Sequence, residues 1–240
     1  MVRVHRALAL CAAACAVASI ARAQVIVDPD PSKSSLSSRY FAVEGQTSGL
    51  PDNCADARCG LFTVTARDFS NTPVPGVTVQ IDFSGCPDIA IACDQLTAVT
   101  GQTYLGGKLV QATTNASGQA LFQIQGASSA VLLPDPSLDA GANAGVPCAV
   151  VSLQGTPLAS VTVAAYDING LGSPTSAVNA SDASFVMAEA LKVGAGATPR
   201  ARDDYNNSNN VNAADVALSI QMALQAAQGT GSKQTGPYCP

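Results

Sequence analysis

The chain has 240 residues, 47% of them hydrophobic and 12% charged, with 12 Lys plus Arg against 17 Asp plus Glu and a formal net charge of −5. An acidic balance without a basic run argues against nucleic acid and anionic membrane surfaces as partners and suits divalent cations better. There is no tryptophan, and the single histidine is His5. It lies in a stretch expected to be removed, so Ser-His-Asp and Cys-His chemistry and His-ligated metals are excluded.

Residues 1–23, "MVRVHRALALCAAACAVASIARA", combine Arg3 and Arg6, an apolar run and an Ala21-Arg22-Ala23 cleavage pattern, which is the layout of a secretory signal. The uncharged run is shorter than the ~20 residues that a membrane span needs, and Ala12 stands where lipidation at Cys15 would want leucine. The expected location is therefore outside the cytoplasm: extracellular, at the cell surface, or periplasmic. Removal of Cys11 and Cys15 leaves Cys54, Cys59, Cys86, Cys93, Cys148 and Cys239, an even set in an exported chain. Short separations favour Cys54 with Cys59 and Cys86 with Cys93, which leaves Cys148 with Cys239, one choice among many pairings.

Residues 24–38, "QVIVDPDPSKSSLSS", mix Pro, Ser and charge without a period and read as a disordered leader. From 39 to 166 the chain is a succession of short alternating segments with Gly and Pro turns. In "LFTVTARD" Val64 and Ala66 share a face with Leu61 or Phe62, and in "GVTVQIDF" Val77, Val79, Ile81 and Phe83 alternate with polar residues. "KLVQATT" and "QALFQIQG" flank the turn signal "NASG" and read as a hairpin. "CAVVSLQG" and "ASVTVAAYD" repeat the alternation, and residues 126–147 read as a long loop or irregular edge. The expected class is mainly β, a β-sandwich.

"FTVTARDFSNTPVPGVTVQIDF" followed by "ATTNASGQALFQI" resembles the invasin-type bacterial immunoglobulin-like domains, with their P-V-x-G-V turn and T-T-x-x-x-G-x-A segment. The likeness covers about half of the chain. It implies an immunoglobulin-like sandwich used as a spacer or adhesive module at a bacterial surface, a statement about location more than chemistry.

Beyond Tyr166 the period changes. "VNASDASFVMAEAL" from Val178 and "VNAADVALSIQMAL" from Val211 align without gaps, matching Val178 with Val211, Asn179 with Asn212, Asp182 with Asp215 and Leu191 with Leu224. Two copies of one helix are expected. Their apolar stripes would be Ala183, Val186, Met187, Ala190 and Leu191 in the first, and Val216, Ile220, Ala223 and Leu224 in the second.

Each helix follows a polar loop. With Asp204 as position one, Asn206, Ser208, Asn210 and Asp215 fall at three, five, seven and twelve, the positions from which a calcium loop donates oxygens, the seventh through its carbonyl. Asn209, at the sixth position, is among the residues that tolerate a left-handed backbone, and Val211 would point inward as an anchor. The first copy offers Asp167, Asn169 and Asp182, but Leu171 takes the fifth position and four extra residues lengthen the loop. The competing reading makes Asp182 and Asp215 helix caps, with the Asn and Ser residues forming ordinary turns.

The repeat resembles the type I dockerin, in which D-x-N-x-D-G-x-[VI]-N-x-x-D precedes a helix. The resemblance implies Ca2+ held by Asp204, Asn206, Ser208 and Asp215 side chains and the Asn210 carbonyl, and a cohesin-like protein partner bound through the helix surfaces. Ser208 in place of aspartate and Asn209 in place of glycine leave two carboxylates in the second loop and imply weak affinity, about 10⁻⁴ to 10⁻³ M. A dockerin-like pair over 167–230 and a tail over 231–240 complete the expected organisation. No phosphate-cradling glycine motif or activated nucleophile is present, and the aspartates outside the repeat stand in turn-like contexts, so a non-catalytic protein is expected.

Overall fold

The computed structural model describes residues 28–43, 60–93, 101–128, 147–168, 178–196, 201–228 and 238–239; the expected signal, Asn169, and Cys54 with Cys59 lie outside them. The chain is mainly β, with strands β1 (Ser35–Leu36), β2 (Tyr40–Val43), β3 (Leu61–Thr65), β4 (Thr78–Asp82), β5 (Ile89–Ala92), β6 (Thr103–Gly106), β7 (Leu109–Thr113), β8 (Gln119–Gln123), β9 (Gly126–Ser128), β10 (Ala149–Leu153), β11 (Thr156–Ala165) and β12 (Tyr238–Cys239). Two helices, α1 (Ala180–Gly194) and α2 (Ala213–Gln228), follow β11, with a short 3-10 turn at Ala201–Asp203 between them. No helix of the described residues is long and apolar enough to cross a membrane.

The strands form a six-stranded sheet in the order β2-β11-β10-β4-β7-β6 and two three-stranded sheets, β1-β3-β8 and β12-β5-β9. All pairs are antiparallel except β2 with β11, which run parallel. Alternation decides which face is buried. Phe62, Val64 and Phe122 from one sheet and Val79, Ile81, Val110 and Val151 from the six-stranded sheet meet in a single apolar cluster. Burial of such side chains contributes roughly 1.5–3 kcal/mol each before conformational entropy is set against it.

Three expectations change. Segments 109–113 and 119–123 are both strands, but β7 pairs with β4 and β6 while β8 pairs with β3, so the connection crosses between sheets and is no hairpin. The "NASG" turn is nevertheless real: Asn115 N donates to Gln119 O at 2.8 Å, and Gly118 takes φ +71°. A Cβ on Gly118 would stand 2.7 Å from the Ala66 carbonyl oxygen, so the position demands glycine for space as well as for conformation. Period-two alternation fixes the face a strand buries and leaves its neighbour open.

Second, the stretch read as leader contributes β1, which pairs with β3 in the register Leu36 to Val64. Ser34 anchors it: Arg67 N donates to the Ser34 hydroxyl at 3.0 Å and Asp30 N to Arg67 O at 2.7 Å. Two residues are too short for alternation to be visible. The short strands β9 and β12 were likewise unmarked within the expected loop at 126–147 and the tail at 231–240, and β12 pairs with β5. The fully buried β5, "IAIA", is an uninterrupted apolar run without alternation.

Third, Cys86 is bonded to Cys148, with Cα atoms 5.1 Å apart. This replaces both Cys86 with Cys93 and Cys148 with Cys239; Cys93 is disulfide-bonded too. The β10–β4 ladder pairs Val150 with Asp82, which carries the residues after β4 alongside those before β10, and Gly85 lets the Cys148 carbonyl approach its backbone. Sheet register outweighs chain proximity.

β10 and β11 do form a hairpin. Its tip is Gln154-Gly155, both with positive φ (49° and 81°), as a tight two-residue turn requires. Beyond it β11 is buried on two sides: Val163 and Ala165 enter the β core, whereas Ala164, with Tyr40 and Ala42 of β2, faces a second cluster built with the helices.

Candidate functional site

The second cluster contains Tyr166, Ile168, Val178, Val186, Tyr205, Val211 and Met222. Val178 and Val211, the repeat partners expected to point inward, are each 1% exposed. Tyr166, the residue before the first loop, stacks on Tyr205, the second residue of the second loop, with ring centroids 4.2 Å apart and planes at 21°. The Tyr205 hydroxyl donates to the Ala165 carbonyl at 3.1 Å. Burial, reinforced by Asp203, raises its pKa well above the usual tyrosine value.

The second loop closes on itself. Asp204 accepts the Ser208 amide at 2.9 Å on one oxygen and the Asn209 amide at 2.7 Å on the other. Asn206 Oδ1 accepts Ser208 N at 3.0 Å, and the Ser208 hydroxyl donates to the Asn210 carbonyl at 3.1 Å. Asn207 and Asn209 both adopt left-handed conformations, φ 55° and 61°, so asparagine does fill the place of glycine at the sixth position. Asp215 completes the ring: Tyr205 N and Asn206 N donate to its Oδ1 at 2.9 and 3.3 Å, and Asn212 N donates to its Oδ2 at 3.0 Å.

The first loop shares this closure. Ile168 N donates to Asp182 Oδ1 and Asn179 N to Asp182 Oδ2, both at 2.9 Å. Asp182 is thus tied to the second residue of its loop and to its helix cap, as Asp215 is, despite the four-residue insertion. Asn179 caps α1 in a reciprocal box with Asp182, and Asn212 repeats this at α2 through Ala214 N at 2.8 Å. Asp167, at the head of the first loop, is fully buried and its carbonyl accepts Ser128 N at 2.7 Å.

Of the predicted ligands, the structure brings Asp204, Asn206, Ser208, Asn210 and Asp215 into one closed loop and Asp167 near Asp182 through the adjacent Ile168 amide. The donor set is carboxylate, amide, hydroxyl and carbonyl oxygen, the hard chemistry calcium takes. The Ser208 and Asn210 oxygens, 3.1 Å apart, are spaced as two ligands about 2.4 Å from one ion can be. Among the described residues no group of three or more His, Cys, Asp or Glu is placed to hold a metal ion. Burial raises the Asp215 pKa, and the Asp204 carboxylate adds to the shift; a bound cation would favour the charged form and so oppose this rise.

The helix faces depart from the expected stripes. Asp182, Val186 and Glu189 are buried on α1, and Asp215, Ser219 and Met222 at the matching positions on α2. The apolar residues assigned to the stripes are in part exposed: Met187 48% and Leu191 72%, matched by Ile220 40% and Leu224 56%. Because the loop-closing aspartate must point inward, residues four and seven positions later point inward with it, and the apolar stripe is turned partly outward. An apolar cavity of about 470 Å³ opens beside the first exposed pair, lined by Met187, Leu191, Val193, Val211 and Val216 among others.

Sequence reasoning also missed Arg202. Its guanidinium binds Asp88 with two hydrogen bonds, Nε to Oδ2 and Nη2 to Oδ1, each 2.7 Å, and Nη1 donates to the Val163 carbonyl. Both side chains are buried. The pair is 114 residues apart in the chain, and no local signal could have joined them. No family model matches the chain, and neither a curated protein nor a solved structure proved significantly similar to it.

Proposed function

We propose that this is an exported, non-catalytic attachment protein: an immunoglobulin-like β-sandwich of invasin type carrying a dockerin-like pair of loop-helix units that calcium stabilises. The observation that carries the reading is the repeated closure of the two loops, Asp182 and Asp215 each joining a loop's second residue to its helix cap, with Asn209 left-handed at the sixth position. The sandwich reading is supported by the β1-β3-β8 sheet and the six-stranded sheet, whose alternating residues share one core to which Ile89 and Ile91 of the third sheet also contribute. Export is supported by the signal-like leader and by a disulfide in the β-domain.

Attachment is supported by the matched exposed pairs, Met187 with Ile220 and Leu191 with Leu224, which offer a protein partner two similar apolar surfaces. A cohesin-like domain is the partner that the dockerin resemblance implies. One observation favours a second reading, a surface adhesin or spacer acting through the β-domain: both oxygens of Asp182 and of Asp215 are already occupied by backbone amides, as in a purely structural cap.

The deciding experiment is a thermal melt of the oxidised protein with millimolar calcium against a calcium-free buffer, with Asp204→Asn/Asp215→Asn as control. A rise in Tm with calcium, absent from the double variant, is the expected result. Superimposable curves would transfer the function to the β-domain.

A further inference from the structure

Among the described residues, β11 has no antiparallel neighbour past Val161: the β10 ladder ends at Ala149 with Val161, and Cys148 N makes the last contact to Val161 O at 3.0 Å. On the other side β2 continues, with Thr162 N bonded to Arg39 O and Tyr166 N to Val43 O. Alternation along a strand therefore turns the Val163 and Ala165 carbonyls to the vacated side. Arg202 donates to the first and the Tyr205 hydroxyl to the second. The segment from the 3-10 turn into the second loop thus takes over the strand edge that β10 leaves, and Asp204 lies between the two residues that grip it.

The grip is strong for physical reasons. Arg202 makes a two-point, charge-assisted contact to Asp88 in a buried setting, at the turn that follows the disulfide cysteine Cys86, and its Nη2 lies 3.5 Å from the Cys148 sulfur. Tyr205 is fully buried and held on a second side by Tyr166. Neither Arg202 nor the Tyr205 side chain belongs to the oxygen set of the loop.

We infer that Arg202 and Tyr205 are positioning residues: the β-domain, through Asp88, Val163 and Ala165, sets the orientation of the Asp204 carboxylate, so the second loop is not an autonomous ion-binding unit. The ion-binding part rests on the calcium reading above; the positioning part does not. Groups that orient a metal ligand from behind characteristically change affinity by about 10–100-fold.

The test uses the full oxidised chain with Arg202→Lys, which keeps the charge and loses the planar fork, and Tyr205→Phe, which keeps the ring and loses the hydroxyl. Amide hydrogen exchange in calcium-free buffer reads the Ser208 and Asn209 amides that Asp204 accepts. Both variants are expected to accelerate these two amides about ten-fold or more, with Ile81 and Ala112 in the β-domain still protected. Calcium titration calorimetry is expected to give a Kd raised about ten-fold or more in the same variants. Unchanged exchange at Ser208 and Asn209, or equal acceleration at Ile81 and Ala112, would overturn the positioning role, as would a wild-type Kd in both variants. Absence of calcium heat from the wild-type protein would reject the calcium reading alone, and the exchange measurement would still decide the positioning of Asp204.

Discussion

Asp182 and Asp215, thirty-three residues apart in the chain, make the same pair of contacts: each carboxylate spans from the amide of its loop's second residue, Ile168 or Tyr205, to the amide of its helix cap, Asn179 or Asn212. The first loop is four residues longer, yet its ends are brought to the same place. Both carboxylates are fully buried, so the amides they accept would otherwise have to be satisfied away from water.

Removal of either carboxylate is therefore expected to destabilise the protein. Asp182→Ala and Asp215→Ala should each cost about 1–3 kcal/mol in urea unfolding without calcium, from the lost cap and the buried donors left behind. Asp215→Ala should be the costlier, since Asn206 N also donates to Asp215. A cost below about 0.5 kcal/mol for both, the range of ordinary surface substitutions, would contradict this role.

The raised pKa of Asp215 gives calcium and pH opposed effects. Without calcium the folded protein holds this proton more tightly than the unfolded chain does, so the group favours folding at low pH and that contribution is lost as pH rises through the folded pKa, which lies above 3.8. Calcium needs the carboxylate, so the rise in Tm that it causes should be full at neutral pH and shrink as the pH falls through the raised pKa. Melts with and without calcium across that range check the sign; a calcium increment that stays level in acid would exclude Asp215 as a ligand.

The Cys86–Cys148 bond closes a span of 62 residues. Chain-entropy reasoning gives about 4 kcal/mol for a loop of that size, so Cys86→Ser/Cys148→Ser should lower stability on this scale by denaturant unfolding. Non-reducing peptide mapping should recover Cys86 linked to Cys148. Recovery of a Cys86–Cys93 linkage would show that short separation had prevailed after all.

The legible part of this chain was whatever repeats at short range. Alternation placed Val77, Val79, Ile81 and Phe83 on a buried face, the turn residues marked the NASG corner, and the gapless match between 178–191 and 211–224 announced two helices behind two polar loops. Each of these depends on residues a few positions apart, and backbone geometry alone converts the spacing into a face, a turn or a cap.

Tertiary structure decided what such spacing leaves free. Which neighbour β7 and β8 would take, which cysteine Cys86 would meet, and how Arg202 would find Asp88 depend on competing partners distant in the chain. The choice among them was made by register and burial. The rotation of the two helices shows the reason most directly: apolar composition favoured burying Leu191 and Leu224, but the inward aspartates at 182 and 215 satisfy buried backbone amides, and those leucines were left 72% and 56% exposed. The sequence by itself determined the elements and the loop chemistry; sheet register and the need to satisfy the buried backbone amides of the two loops determined how they were turned and joined.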